Sequence, residues 1–435
     1  MYLSDYQTLF KNKTKSNFDQ ANQYVEGIVL SELNNIERIN ETLGTQYHQL
    51  HHFISDSNWN ARSVMDQVAR DVSQAFPKDT LTGLLIDESG WVKKGDKSVG
   101  VGHQYCGNVG KTANSQVAVF GCLSNSKHAS IVDCRLYLPE SWTTDSERCD
   151  QAGIPPNERT FKTKLKLGID IIKHQMSLGI NFDYVGGDGF YGHDASFARE
   201  IDDMGLVYVL DIHPNQQIFL EKPELLLPER KYSKGRLPKR FKVNMEPINA
   251  NKYIGSLSPK DWEPFAIRLS AKGVLEGQFH FKKVFILDNS TNTIETRLLI
   301  VSRRKTANGE EYKYSFTNAS LEQFTKQALV CMQSQRFFIE HSFKEQKQIL
   351  GMDQFQTRKW KSLYHQIALN MMVGCFLLKE KLLNREDIPI LSARDIMDFL
   401  VFKFYKEMTE ERILANLKER HRKRLKDINY CYSKK

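Results

Sequence analysis

An α/β fold, a mixed sheet flanked by helices, is predicted by three features of the sequence. Helical periodicity fills residues 1–76, and after the segment FPKDT the period shortens to that of strands. From 81 to 212, strand-like and helix-like stretches then follow in the order β-β-β-α-β-α-β. In the first region Val29, Leu33, Ile36, Ile39 and Leu43 recur at steps of three and four, Leu50 and Phe53 follow, and no proline precedes Pro77. LTGLLID (81–87) is a short apolar run ending at an acid and a predicted turn, Glu88-Ser89-Gly90. SQVAVFGCL (115–123) and SIVDCRLYL (130–138) suit a hairpin, and a polar loop punctuated by Pro155-Pro156 follows. Residues 162–179 form an amphipathic helix with Leu165, Ile169, Ile172 and Met176 along one side. FDYVGGD (182–188) is a strand ending in a glycine turn, HDASFAREIDDMG (193–205) a helix closed by Gly205, and LVYVLDI (206–212) a further strand.

Three antiparallel strands followed by parallel α/β units describe an RNase H-like core, a mixed five-stranded sheet with helices on both faces. That topology puts Asp87 on the first strand and Asp188 at the end of the fourth, with the two strands adjacent. Residues 214–318 interrupt the pattern with short β-like runs such as RFKVNM, HFKKVFIL and TRLLIVSR, which predict a β-rich insertion domain. Helical periodicity returns from Leu321 to about Gly351, across Trp360 to Leu383, and in two tail stretches, Ala393–Met408 and Glu410–Asp427. The expected division is a helical N-terminal DNA-binding domain (1–76), a core in two parts (77–213 and 319–384) around the insertion, and a helical basic C-terminal region (385–435).

The chain has 435 residues, 40% hydrophobic and 11% aromatic, enough to bury a core and exclude global disorder. The longest apolar run, Met371 to Leu378, is far short of the ~20 residues of a membrane span. The opening residues lack an apolar signal region, and no lipidation motif is present. Seven scattered cysteines without a CxxC pair argue against a disulfide framework or a zinc knuckle. A cytoplasmic, nucleoid-associated protein is therefore expected. Charge is uneven. Residues 214–318 hold 19 basic and 11 acidic side chains, and 412–435 hold 9 and 2, leaving the remainder mildly acidic. Two basic modules suit a polyanion such as duplex DNA, although a solvated surface would look the same. In the tail the candidates are Lys418, Arg420, Arg422, Lys423, Arg424 and Lys426, too clustered in charge to pack well and expected to grip DNA without sequence preference. In the insertion they are Lys231, Lys234, Arg236, Lys239 and Arg240.

Asp87 and Asp188 each sit where a rigid strand end could hold a hard cation, though a lone Asp there is equally a turn former. RFFIEHSFKEQKQILG (336–351) places Arg336, Glu340, Lys344 and Lys347 along one helix face, with Phe337, Phe338, Ile339 and Phe343 around Glu340. Such a stripe is either a surface ion-pair ladder or, on a helix this apolar, a face turned toward something. GNVGKT (107–112) lacks the first glycine of a phosphate loop and runs into a strand. His103 and Cys106 lack a second pair, Ser89 and Ser98 lack a nucleophile-elbow context, and His48, His51 and His52 read as helix-surface residues.

Three blocks carry a resemblance over about residues 80–380. They are LLIDESGWVKKG with SVGVGHQYCGNVGKTANSQVAVFG, then YVGGDGFYG, then RFFIEHSFKEQKQILGMDQFQTRKW. Together they resemble the DDE-type insertion-sequence transposases of bacteria, within the retroviral integrase superfamily. Arg336, Glu340 and Lys347 repeat the spacing of that group's Y-R-E-K signature, while its Tyr falls at Gln333. The resemblance implies that Asp87, Asp188 and Glu340 are catalytic and hold two divalent ions, Mg²⁺ or Mn²⁺. It implies that Arg336 and Lys347 grip phosphates beside the scissile bond. It further implies cleavage at transposon ends, strand transfer into target DNA, partners in the terminal inverted repeats and target duplex, and a dimer in the synaptic complex. A catalytically inactive DNA-binding descendant and a structure-specific nuclease on the same core are the alternatives.

Overall fold

The computed structural model describes all residues except 1, 14, 126, 228–240, 271–272, 307–308, 355, 389–390, 406 and 434–435. It divides into two compact units, Met1–Val64 with Glu345–Lys435, and Met65–Lys344. No helix among the described residues is long and apolar enough to cross a membrane.

The first unit is helical. Phe18–Leu30, Ile36–Leu43 and Tyr47–Ser55 lead it, and Trp360–Leu383, Ala393–Phe404 and Glu410–Ser433 close it. The three-and-four spacing from Val29 to Leu43 is thus not one helix. It breaks at 31–35, where Leu33 turns outward, while Ile39 on the next helix is fully buried. The core is aromatic: Phe53 stacks on Trp59 at 5.4 Å, and Trp59 stacks on His365 at 3.8 Å. Burial pulls His365 down to about 4, against the opposing pull of the carbonyls of Ile54 and Trp59.

The second unit is built on a ten-stranded mixed sheet. Its strands are β1 (Gly83–Val92), β2 (Gly102–Cys106), β3 (Lys111–Ser124), β4 (Ala129–Leu136), β5 (Tyr184–Gly187), β6 (Tyr208–Asp211), β7 (Glu263–Ser270), β8 (Gly273–Asp288), β9 (Thr293–Thr306) and β10 (Gly309–Thr317). The order across the sheet is β7-β8-β9-β10-β6-β5-β1-β3-β2, with β4 also on β3. β1, β5 and β6 are mutually parallel and the other pairs antiparallel. The central strands are short apolar runs because both faces are covered: Leu84, Leu85, Ile86, Tyr184, Val185, Tyr208, Val209 and Leu210 are all buried.

The sheet is twice the expected five strands, for two reasons. β7 to β10, from the region read as an insertion domain, continue the same sheet through pairing of β10 with β6. They also cover their own cluster, in which Ile212, Tyr253, Trp262, Val284, Leu299 and Phe316 pack together. β2 is the other addition; it alternates between half-buried and exposed residues and so shows no apolar run. GNVGKT forms the β2–β3 hairpin, with Gly110 at φ 63°. The turn expected at Glu88-Ser89-Gly90 is absent, since β1 runs on to Val92 in register with β3 and buries Ser89. On the helix Lys164–Ser177, Ile169 and Ile172 are buried as the spacing requires, but Met176 is exposed.

Candidate active site

Three adjacent parallel strands carry a carboxylate each, Asp87 midway along β1, Asp188 just past β5 and Asp211 closing β6. β1 pairs with β5 so that Ile86 lies opposite Gly187, and β5 pairs with β6 so that Gly187 lies opposite Leu210. The next residues are Asp87, Asp188 and Asp211, in register where the parallel pairing stops, at the carboxyl ends of β5 and β6 and midway along β1, which runs on to Val92. Asp188 caps the helical turn Gly189–Gly192, its Oδ1 accepting from the N–H groups of Phe190 and Tyr191. This turn lies hard against β6: a Cβ on Gly192 would stand 1.9 Å from the carbonyl oxygen of Asp211. Asp87 Oδ1 accepts from the Glu88 N–H at 2.7 Å. Glu88 is itself held by Lys164 at 2.9 Å and by the buried hydroxyl of Tyr191 at 3.3 Å.

The third component arrives on a broken helix. Lys326–Gln335 ends at Arg336, and Phe337–Lys344 begins immediately after it. Phe343 meets Phe120 edge-on at 5.2 Å, and Phe120 is the ladder partner of Asp87. The apolar residues around Glu340 thus dock its helix onto the sheet beside the first carboxylate. Arg336 reaches into the acidic cluster. Its Nε lies 2.8 Å from Asp211, its guanidinium 2.8 Å from Glu340, and a further nitrogen 3.9 Å from Asp87. The Ser315 hydroxyl on β10 donates to the other oxygen of Asp211 at 2.7 Å. Gln333, one turn before Arg336 and at the position of the signature's Tyr, donates to Ser315 Oγ at 3.0 Å and to the Ile300 carbonyl at 3.1 Å.

The electrostatics follow from burial and crowding. Burial pushes Asp87 well above the usual carboxylate range; Asp188 and Glu88 add to this by repulsion, and Arg336 and the Glu88 N–H oppose it. Asp211 is raised by burial too, against the pull of Arg336 and Ser315. Burial alone would lower Arg336, but Asp211, Glu340, Asp87 and Asp188 together outweigh it and raise its pKa. The cluster is short of positive charge.

A family model described as "DDE superfamily endonuclease" matches residues 5–273, more than half of the chain, including Asp87 and Asp188. The chain belongs to this family. It is also 28% identical over 213 residues to a protein of Microchaete diplosiphon described as a probable transposase for insertion sequence element IS701. That match covers 48% of this chain, and the chain spans half the length (50%) of that relative. Among solved structures, a piggyBac transposase synaptic complex with hairpin DNA aligns with 96% of this chain and 80% of its own, at 10% identity and a TM-score of 0.35.

The donor chemistry of this DDE-family site fits a hard divalent cation: all-oxygen carboxylates in one row across parallel strands, with Asp87 destabilised as an anion until a cation compensates it. Arg336 fills that role among the described residues, where no three His, Cys, Asp or Glu side chains stand together as a metal-holding group. Glu340 is turned to Arg336 and is 52% exposed. Of the other expected site residues, Lys344 is exposed at the end of its helix, and the helix then changes to a π-helical turn, Glu345–Ile349, in which Lys347 is buried. Lys231, Lys234, Arg236, Lys239 and Arg240 lie outside the described residues. In the tail, Arg422 and Arg424 are exposed, with Arg422 paired to Glu419 on its own helix. Two of the six tail cations pack, contrary to expectation, while Lys418 and Lys426 are exposed like Arg422 and Arg424. Arg420 pairs with Glu41 at 3.0 Å, and Lys423 with Glu37 at 3.6 Å, its ammonium 4.9 Å from the Tyr47 ring centre. Acids on the N-terminal helices supply the partners. Sequence reasoning missed Asp211, Ser315, Glu88 and Lys164. The signal for Asp211 was present, because LVYVLD repeats the pattern of LLID and YVGGD, an apolar strand ended by an acid.

Proposed function

We propose that this chain is a transposase that cleaves the ends of an insertion sequence and joins them to target DNA. The observation that carries the reading is the row of carboxylates across three parallel strands, met by the Glu340 helix, in a chain of the DDE family. Asp87, Asp188 and Glu340 would hold two Mg²⁺ or Mn²⁺ ions, with Glu340 turning from Arg336 toward the strand ends. Held by these carboxylates, such ions would supply Lewis acidity for activating a water or a DNA 3′-hydroxyl and for neutralising charge on the leaving oxygen of an in-line displacement. Arg336, released from Glu340, offers a fork of donors to the phosphate beside the scissile bond, and Lys344 adds charge at the helix end. The central strands β3, β1, β5 and β6, with β4, form the RNase H-like core of this reading. Its domains are the helical 1–76, the core in 77–213 and 319–384, the insertion in 214–318 and the basic 385–435. The exposed Arg422 and Arg424 would track the DNA backbone, as would Lys231, Lys234, Arg236, Lys239 and Arg240. Lys347 would grip a phosphate beside the scissile bond only on leaving its buried position, and Arg420 and Lys423 would reach DNA only on exchanging Glu41 and Glu37 for phosphates. The partners are terminal inverted repeats and target duplex, engaged by a dimer that brings two ends together, at the bacterial nucleoid.

The test is cleavage of a duplex carrying the ends of the element that encodes the chain, with Mg²⁺ or Mn²⁺. Asp87→Asn, Asp188→Asn and Glu340→Gln should each lower cleavage by about a hundredfold or more while DNA binding persists. Near-normal cleavage by any of the three removes that residue from the site. DNA binding without cleavage by the unmodified chain would point to a non-catalytic descendant.

A further inference from the structure

We propose that Asp211 is a positioning residue of this site, holding Arg336 in place by its Nε so that the rest of the guanidinium is free to serve the reacting phosphate. The inference rests on the transposase reading for its functional half and on side-chain geometry within the second unit for the other half. Arg336 has two partners at 2.8 Å, of different character. Glu340 is 52% exposed and lies on the helix that begins just after Arg336; Asp211 is 18% exposed, fixed on a central strand, and held on its other oxygen by Ser315. Ser315 is fully buried and is oriented in turn by Gln333, which is 3% exposed. A chain of hydrogen bonds and one ion pair, Gln333 to Ser315 to Asp211 to Arg336, therefore runs from the sheet to the guanidinium. Its members come from β6, β10 and the helix before Glu340. When Glu340 turns toward a cation it releases Arg336, and Asp211 keeps the arginine from swinging out to solvent. Gln333 donates both N–H groups of its amide, one to Ser315 and one to the Ile300 carbonyl, whereas a Tyr hydroxyl has a single proton to give.

A double-mutant cycle on the full-length chain tests this, with Asp211→Asn, Arg336→Ala and the pair, read in two ways. The first readout is unfolding in urea with a chelator present. The pair should then be no less stable than Arg336→Ala alone, because either substitution by itself already breaks the ion pair. The second is turnover per folded molecule with Mn²⁺. Asp211→Asn should lower kcat about tenfold or more with KM for DNA little changed, and should cost nothing further in the Arg336→Ala background. Additive losses in either readout overturn the assignment, additivity in kcat making Asp211 a direct participant instead. If the unmodified chain does not cleave DNA, the transposase reading fails, while the chelator cycle still decides whether Asp211 and Arg336 act as one. Should Asp211→Asn fail to fold, Ser315→Ala reads the same chain: a loss of turnover that vanishes without Arg336 supports the proposal, and unchanged turnover overturns it.

Discussion

Replacing Arg336 with alanine removes the guanidinium on which two buried carboxylates depend. It lies 2.8 Å from Asp211, 3.9 Å from Asp87 and 2.8 Å from Glu340, whose side-chain exposures are 18%, 14% and 52%. Removing one partner of a buried ion pair costs about 3–5 kcal/mol because the other charge is left uncompensated. The half-exposed Glu340 adds at most about 0.5 kcal/mol. Since both aspartates retain some access to water, the lower end applies, about 3 kcal/mol at neutral pH. The cost should depend on pH in a defined direction. Asp87 and Asp211 have folded-state pKa values raised above those of the unfolded chain. The stability linked to their protonation is fully present below the unfolded carboxylate range near ~4 and is lost as pH rises through the raised folded values. Arg336 pulls both values down, so its removal widens that window and enlarges the total loss. Urea unfolding in a chelator should show Arg336→Ala far less stable than the unmodified chain at pH 8 and closer to it at pH 5. A cost that is equal at the two pH values, or below about 0.5 kcal/mol at both, would refute the reasoning.

Gly192→Ala should lower stability by about 1–3 kcal/mol in denaturant titration, since its Cβ would meet the Asp211 carbonyl oxygen at 1.9 Å and backbone must move. Unaltered stability would mean that the turn does not press on β6. His365, with an ordinary pKa of 6.5 lowered to about 4, supplies stability that is present above its unfolded pKa and lost as pH falls toward 4. About 3 kcal/mol should disappear across that window, and His365→Gln should flatten the profile there. Neutralising Arg422, Arg424 and Lys426 to Gln should reduce the salt slope of DNA binding by about 0.9 for each phosphate no longer neutralised, without changing sequence preference. An unaltered slope would assign this helix face to solubility.

What could be read in advance follows the reach of periodicity. The apolar runs ending in Asp87 and Asp188, and the adjacency of their strands, were legible because a strand buried on both faces leaves a continuous hydrophobic signature. β2 was not, since GHQYC is half exposed, and β1 was cut short because Glu88-Ser89-Gly90 has turn composition inside a ladder. The stripe from Arg336 to Lys347 assumed one uniform helix. The break at Arg336 and the π-helical turn at Glu345 depend on packing, which spacing does not encode. Asp211 was passed over because its partner Ser315 is 104 residues away and belongs to a segment that read as separate.

That segment also covers a boundary. Without β10, the outer side of β6 would present a row of unpaired N–H and C=O groups along Val209, Leu210 and Asp211, the template on which another chain can add a strand. Residues 214–318 therefore do not form a removable module in the way an insertion between two surface loops would. A truncated chain lacking them would carry an open apolar edge beside the carboxylate row and should self-associate. Shortening is better directed at the ends of these strand pairs where Ser270 lies opposite Gly273 and Thr306 opposite Gly309, far along β8 and β9 from the pairing with β6. Homologous chains that vary in length here should keep a strand in the place of β10, whatever else they lose.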